Sequence, residues 1–544
     1  MRKLRSLSAA VFVVVCCALV GGLFGRDALV AQDQLTEQYR VFATALQAVE
    51  ANYVGEAPSD RLVYGAISGM LQTLDPHSSF FDPKSYAQMR ERQEGRYYGL
   101  GISIGTSDGE ITVANVFEGS PAYQRGVRRG DVIAKIEGED TKGWNSDQAV
   151  KRLRGQRGTS VTVSVRRAGY DKLIDLQVTR DEIHMPTVPA AFMMDSTTAY
   201  LKLTDFGENT DQELGRALKE LASKGMKRLV FDLRGNPGGA LDQAIKVANR
   251  FLVQGVMIVY TRGRVQNSGQ DYRATERSDY LNIPMITLVN RNSASASEIV
   301  SGALQDHDRS LIVGETTFGK ALVQSVFKVS GGAGAAITTA RYYTPSGRLI
   351  QRPWDGSFDE YLTYTLREQD PNKAHRTEDQ KLTDSGRKVY SGGGVEPDRR
   401  FDGPVMGFNP SRFARGLANP SRNLFASFTE RFTRRGDKRV TAQPSSPIRE
   451  LGPDFQLNDE LVAEFKKYVE QSKVVIDEAA WKKDQDFIRA MLRFEIDSDL
   501  FGVSAAWQGL VKQDPQLQYS VGLFPEAQTL LESSKQNGFR RAAQ

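Results

Sequence analysis

Met285-Ile286-Thr287-Leu288-Val289-Asn290-Arg291-Asn292-Ser293-Ala294-Ser295-Ala296-Ser297-Glu298-Ile299 runs from a short apolar strand through a polar turn into a helix. Ile299, Ala303 and Leu304 continue it at helical spacing. A serine at such a turn exposes its hydroxyl, and the backbone N–H that follows points toward an oxyanion formed there. The same letters also spell an N-terminal cap, with three serines competing for it and Glu298 closing a capping box.

The surroundings of this turn read as an α/β core. Tyr200–Leu203, Arg228–Leu233 and Leu311–Val313 are short buried-strand patterns. Between them Thr210–Ser223 and Leu241–Leu252 are amphipathic, the first capped by Asn209 or Thr210. Such alternation predicts right-handed crossovers. The turn Asp232-Leu233-Arg234-Gly235-Asn236-Pro237-Gly238-Gly239 sits where a strand hands over to a helix, the place where α/β sheets bind ligands. Pro237 has no N–H, so a donor to a reacting oxygen falls to Gly238 or Gly239, with Gly238 expected to supply it. A plain tight turn is the alternative. The Lys and Ser/Thr of a phosphate loop are missing.

A serine nucleophile needs a base. Of the four histidines, His77, His184 and His375 lie in unsuggestive settings, and Asp306-His307-Asp308 reads as a solvated helix end. Lys320, in Gly314-Glu315-Thr316-Thr317-Phe318-Gly319-Lys320-Ala321-Leu322-Val323-Gln324, stands among apolar and glycine neighbours directly after a buried strand. Desolvation disfavours a charged amine and makes its neutral form available. Gln324 is placed to orient that amine. A snorkelling surface lysine is the alternative.

The flanks extend the organisation. Leu35–Tyr53 and Asp60–Leu74 carry apolar residues at helical spacing and lead into Leu74-Asp75-Pro76-His77-Ser78-Ser79. Between Gly95 and Arg180 short glycine-punctuated strands take over, with one helix at Asn145–Arg154 capped by Asn145 or Ser146. Beyond Asp402 the chain turns rich in Pro, Arg, Asn and Ser, with a linker at Thr441–Pro447. Helices are expected at Asp459–Ser472, Glu478–Ile496 and Ser504–Gln513.

Arg2, Lys3 and Arg5 precede an uncharged apolar stretch, Leu7–Gly25, the order of an export signal. Its length favours an uncleaved membrane anchor. A cleaved signal ending at Ala31 is the alternative, against which Leu29 is a poor small residue. The only cysteines, Cys16 and Cys17, lie inside this segment, so neither a disulfide framework nor a thiolate site is available beyond it. A net charge of +5 over 544 residues does not predict nucleic-acid binding. The basic run from Arg431 to Arg439 reads as solvated linker.

Together, the Ser-Ala-Ser-Ala-Ser-Glu block, the Gly-Glu-x-x-x-Gly-Lys-x-x-x-Gln stretch and the Asp232–Gly239 turn resemble the C-terminal processing (tail-specific) peptidases of the serine-lysine S41 class. Leu74–Ser79, Thr338–Gly347 and Gly394-Val395-Glu396-Pro397-Asp398 look like further motifs of that family. Tyr98-Gly99-Leu100-Gly101-Ile102 resembles a carboxylate-binding PDZ loop, and Ser120–Ile133 the turn and strand of PDZ domains in exported proteases.

The resemblance implies a multidomain α/β protein with a crotonase-like (ClpP/crotonase) core. The resemblance spans roughly residues 35–402; the expected domains are a signal or anchor (1–31), N-terminal helices (32–94), a PDZ domain (95–183), the protease core (184–402) and, without a family motif, a mainly helical extension (403–544) with a linker near 436–450. The resemblance implies a serine endopeptidase, periplasmic or otherwise extracytoplasmic, with Ser295 as nucleophile, Lys320 as base and Gln324 as the third position. Gly238 and Ala296 would form the oxyanion hole. No metal or organic cofactor is called for. The implied partners are proteins with free apolar C-termini and, through residues 7–25, the inner membrane; the C-terminal helices are a candidate surface for self-assembly or an adaptor. An exported PDZ scaffold or holdase with an inert core is the alternative.

Overall fold

The computed structural model describes residues 36–541 except 108, 168, 267, 355–360, 362, 367–374, 402–410, 420–421 and 437–447. The apolar stretch 7–25, both cysteines, the Ala31 site and the linker 441–447 fall outside the described residues. Among the described residues no helix is long and apolar enough to cross a membrane. The chain divides into two compact units, Met1–Pro83 with Val326–Ile337, and Lys84–Ser325 with Thr338–Gln544.

In the first unit a helix over 36–52 and a second at Ser59–Gln72 precede a short strand, Ser79–Phe81. That strand pairs antiparallel with Gly334–Ala336. One oxygen of Asp75 accepts the N–H groups of His77 and Ser78, and the other takes the Ser78 hydroxyl. The Asp-Pro-His-Ser-Ser stretch is therefore a side-chain-locked turn.

The second unit holds three packed bodies. The first is a five-strand path in chain order, Ile102–Ser107, Glu110–Val116, Val132–Ile136, Ser160–Arg166 and Ile174–Thr179, around an Ile/Val core. A separate pair, Arg96–Gly99 with Asp181–His184, brings the two ends of this body together. Its main helix is Ser146–Leu153, with Asn145 and Gln148 exchanging the two bonds of a capping box.

The second body is the α/β core. Six strands lie in the order Ala190–Met193, Thr198–Lys202, Arg228–Asp232, Met285–Val289, Leu311–Gly314 and Arg399–Arg400, parallel except for the first pair. Strand side chains alternate. Leu229, Phe231, Met285 and Val289 face the helices Thr210–Ser223, Leu241–Asn249 and Ala296–Asp306. Tyr200, Val230, Ile286, Leu288 and Val313 face the other way, onto Val511, Leu517, Phe524, Ala527 and Leu530. These last belong to Val503–Val511, Pro515–Val521 and Phe524–Arg541, so the C-terminal helices cover the second face of the sheet.

The third body, from Arg412 to Phe501, closes its own aromatic-rich cluster around Phe425, Phe428, Phe465 and Trp481. It meets the first at a charged seam: Arg129 bonds Glu495 at 2.5 Å, Arg128 bonds the Thr433 hydroxyl, and Gly130 lies against Glu430.

Most expected helix ends shift by a residue or two, and two helices depart further. Leu241–Leu252 stops at Asn249, whose amide oxygen accepts the N–H groups of Thr275 and Glu276. Glu478–Ile496 is broken at Asp484, buried and bonded to the Ser411 N–H, giving Glu478–Lys483 and Gln485–Phe501.

Candidate active site

The strand Met285–Val289 delivers the chain to Asn290, and the helix begins at Ala296. The three serines between and after them have different fates. Ser293 is fully buried, its hydroxyl donating to the Leu233 carbonyl at 2.9 Å. Ser297 is equally buried and donates to the Asn236 carbonyl at 2.9 Å. Ser295 alone is held at positive φ, 54°, and is only partly buried. Such a backbone is costly for a non-glycine residue and persists only where the surroundings enforce it.

The enforcing contacts come from both neighbouring turns. Asn290 accepts the Gly235 N–H at 2.9 Å, and the Ala294 N–H donates to Asn236. Gly238 has φ 106°, and a methyl group added there would sit 2.7 Å from Ser295 Cβ and 3.0 Å from the Ala296 nitrogen. A glycine is required by that approach. The Gly238 N–H itself donates to Asn236 Oδ1 at 2.9 Å. Ala296 opens the helix, where backbone donors lack an intrahelical acceptor.

Lys320 arrives on the opposite loop. Glu298, fully buried, takes four donors: the Thr317 hydroxyl at 2.5 Å and Gly319 N–H at 2.7 Å on one oxygen, the Ser295 and Lys320 N–H groups at 2.8 and 2.9 Å on the other. The backbone nitrogens of Ser295 and Lys320 thus lie within about 6 Å of each other. Burial pushes the Glu298 carboxyl up to about 7, partly offset by these donors. On the carbonyl side the buried Tyr342 hydroxyl lies 3.0 Å from the Ser295 oxygen and 2.5 Å from that of Lys320. The Phe318 N–H adds a bond to the Ser293 carbonyl. Lys320 Nζ donates to Gln324 Oε1 at 3.0 Å, and both side chains are half-buried.

The histidines are occupied elsewhere. His184 Nε2 meets Glu213 at 2.7 Å, and His375 stacks on Tyr390. His307 is not the solvated helix end expected: its ring is nearly buried, with Nδ1 2.8 Å from Asp384 and Nε2 2.6 Å from the Met257 carbonyl. Burial lowers its pKa, but the bonds to Asp384 and the Met257 carbonyl and the charges of Asp384 and Asp306 together more than reverse this and raise it.

In the strand-rich body, Leu100 is buried and its carbonyl accepts the Ala122 N–H; the Gly101 carbonyl accepts that of Phe117. Gly101 has φ 80° and packs against Ser120, whose hydroxyl donates to its carbonyl at 3.2 Å. Tyr98 is exposed and its hydroxyl lies 3.3 Å from Glu182, while Gly99 pairs with Asp181. Ile102 begins the edge strand of the sheet, beside the Ser146–Leu153 helix.

Sequence reasoning missed three residues of this constellation. Glu298 read only as a cap, Tyr342 lay inside a motif with no role attached, and Asn236 was one letter of a turn. The spacing of Glu298 to Ser295 carried a signal, since a cap carboxylate on the Ser295 N–H is positioned to reach the next loop.

This elbow, its lysine loop and the attached strand-rich body define a PDZ-bearing serine endopeptidase. Residues 197–355 match the model of peptidase family S41, residues 88–166 that of the PDZ domain, and residues 26–85 that of the activating protease CtpB N-terminal domain. The carboxy-terminal-processing protease of Bartonella bacilliformis is 40% identical over 319 residues, covering 58% of this chain and 73% of its own. The carboxy-terminal processing protease CtpA of Bacillus subtilis is 34% identical over 343 residues, 62% of this chain and 73% of its own. Among solved structures, the photosystem II D1 C-terminal processing protease is 28% identical, covers 67% of this chain and 93% of its own, and has a TM-score of 0.35. The chain belongs to the carboxy-terminal-processing proteases of peptidase family S41.

Proposed function

We propose that this protease acts outside the cytoplasm on protein C-termini, through a Ser295–Lys320 acyl-enzyme mechanism. The observation that carries the reading is the double tether of the two residues, whose N–H groups share one Glu298 oxygen and whose carbonyls share the Tyr342 hydroxyl. Lys320, oriented by Gln324, takes the proton of Ser295 as the hydroxyl attacks the scissile carbonyl. The Ala296 N–H receives the oxyanion. The Gly238 N–H joins it by exchanging its bond to Asn236 for one to the developing charge. Lys320 then returns the proton to the leaving amine, and water releases the acyl group.

The substrate's tail would enter at Tyr98–Ile102. The Leu100 and Gly101 carbonyls are tied inward, which suits a loop that offers its N–H groups to a carboxylate, and Ile102–Ser107 is an edge strand open to an added one. The apolar stretch 7–25 would tether the enzyme to the inner membrane, facing the periplasm.

The test is cleavage of a protein bearing an apolar tail by purified Ser295→Ala and Lys320→Ala. Both variants should keep the fold and lose turnover, and an acylating probe should label Ser295 only in the parent. Retained turnover in either variant removes the dyad. Cleavage indifferent to blocking the substrate's C-terminus removes presentation by the PDZ domain.

A further inference from the structure

The matched family models end at residue 355, yet the C-terminal helices reach the turn that carries Gly238. Asp232, the last residue of its strand, is completely buried. One of its oxygens takes the Arg234 N–H at 2.8 Å and Lys202 Nζ at 3.1 Å; the other takes the Tyr200 hydroxyl and Arg234 Nη2, each at 2.7 Å. Lys202 also bonds the Arg234 carbonyl and lies 5.6 Å from the Trp507 ring. Arg234, 2% exposed, is thereby fixed at its N–H, its carbonyl and its side chain.

Among the described residues, what remains of the guanidinium is met from the C-terminal helices. Nη2 donates to Asp514 Oδ2 at 2.6 Å and Nη1 to Gln516 Oε1 at 3.1 Å. Lys202, Arg234, Asp232 and Asp514 are all buried, and burial draws the Lys202 amine below its ordinary pKa despite Asp232 beside it. Without Asp514 the buried guanidinium loses a charged acceptor, and a buried group so deprived moves or draws in water. The displacement would fall on Arg234, one residue before Gly235 and four before Gly238, which lies so near Ser295 that a side chain there would collide with it.

We propose that Asp514 is a positioning residue for the oxyanion turn Gly235–Gly239, acting through Arg234, so that the C-terminal helices complete the catalytic site. The inference rests on the reading of Gly238 and Ala296 as oxyanion donors. It assigns Asp514 no contact with substrate.

Asp514 also caps the Pro515–Val521 helix through its other oxygen, which accepts the Gln516 and Leu517 N–H groups. Asparagine retains that cap, so Asp514→Asn removes the ion pair and its hydrogen bond to Arg234 while leaving the helix start intact. In the full chain this variant should lower kcat about tenfold or more with KM little changed, because a misplaced turn weakens the transition state and not tail binding. Labelling of Ser295 by a fluorophosphonate should slow in proportion. Asp514→Asn/Gln516→Glu moves the carboxylate to the other guanidinium nitrogen and should regain most of the loss.

Leu530→Ala, which loosens the same helices away from Arg234, should lower the melting temperature while leaving kcat unchanged well below it. If Asp514→Asn cleaves and labels at the parent rate, or Leu530→Ala lowers kcat as much, the positioning role is overturned. So it is if the charge-relocated double variant gains nothing, or if Asp514→Asn fails to fold and that double variant folds without activity. A parent enzyme whose Ser295 resists labelling would instead overturn the proposed function.

Discussion

Replacing Glu298 by glutamine exchanges one oxygen for an NH2 with little change of shape. The carboxylate receives two donors on each oxygen. A carboxamide has one acceptor oxygen, so in either orientation its NH2 faces a pair of donors. If it turns toward Thr317, that hydroxyl can reverse and accept, leaving the Gly319 N–H orphaned. If it turns the other way, the Ser295 and Lys320 N–H groups are both orphaned. Each costs about 1–3 kcal/mol. Against this stands relief of the buried charge: the carboxyl's rise from 4.5 to about 7 corresponds to roughly 3 kcal/mol.

Global stability should therefore change by no more than about 2–3 kcal/mol, while the Lys320 loop loses its registry with Ser295. We expect kcat for a tail-bearing protein to fall about tenfold or more. The pH profile gives the sharper readout. Protonating Glu298 places a proton where donors already point, so parent activity should fall as pH drops through about 7, and the variant should lack this step. Stability runs oppositely: an acid with a raised pKa favours the fold when protonated, so its contribution declines between about 4.5 and about 7 and is level above. Single-turnover cleavage and urea unfolding from pH 5 to 9 measure both. A variant with parental kcat and an unchanged step near 7 would refute the tether.

Gly238→Ala forces φ 106° on a side chain and puts a methyl 2.7 Å from Ser295 Cβ; turnover should drop at least about a hundredfold, with about 1–3 kcal/mol of strain visible in urea melts. Tyr342→Phe takes the shared hydroxyl from the Ser295 and Lys320 carbonyls, at a cost of about 1–2 kcal/mol in stability, and should reduce kcat at constant KM. Burial, with Asp131 and Asp499 nearby, pushes Glu430 up to about 8. The parent should therefore lose stability as pH rises from about 4.5 toward 8, and Glu430→Gln should flatten that slope, as denaturation midpoints at pH 6 and 9 would show.

Local pattern made much of the fold legible. The Thr210–Ser223 helix stands where its apolar spacing put it, and Asn145 caps its helix as its side chain suggests. What could not be read depended on distant partners. Nothing local distinguishes Ser293 and Ser297, which staple two turns together, from Ser295, which is presented; only the backbone angle and burial separate them. His307 between two aspartates looks solvated until Asp384 and the Met257 carbonyl close over it. Tyr200, Val230 and Ile286 are apolar whichever layer covers them, so their helices could not be assigned to the far end of the chain. Asp514, lying 280 positions from Arg234, is beyond any spacing argument.

The order of synthesis gives that last arrangement a temporal meaning. A ribosome finishes Ser295, Lys320 and the strand-rich body long before it reaches the helices that roof the sheet. Until they emerge, one side of the sheet is bare and Arg234 has half its partners. On the proposed role of Asp514, the nascent chain thus carries Ser295 and Lys320 before the helices that would set the Gly235–Gly239 turn.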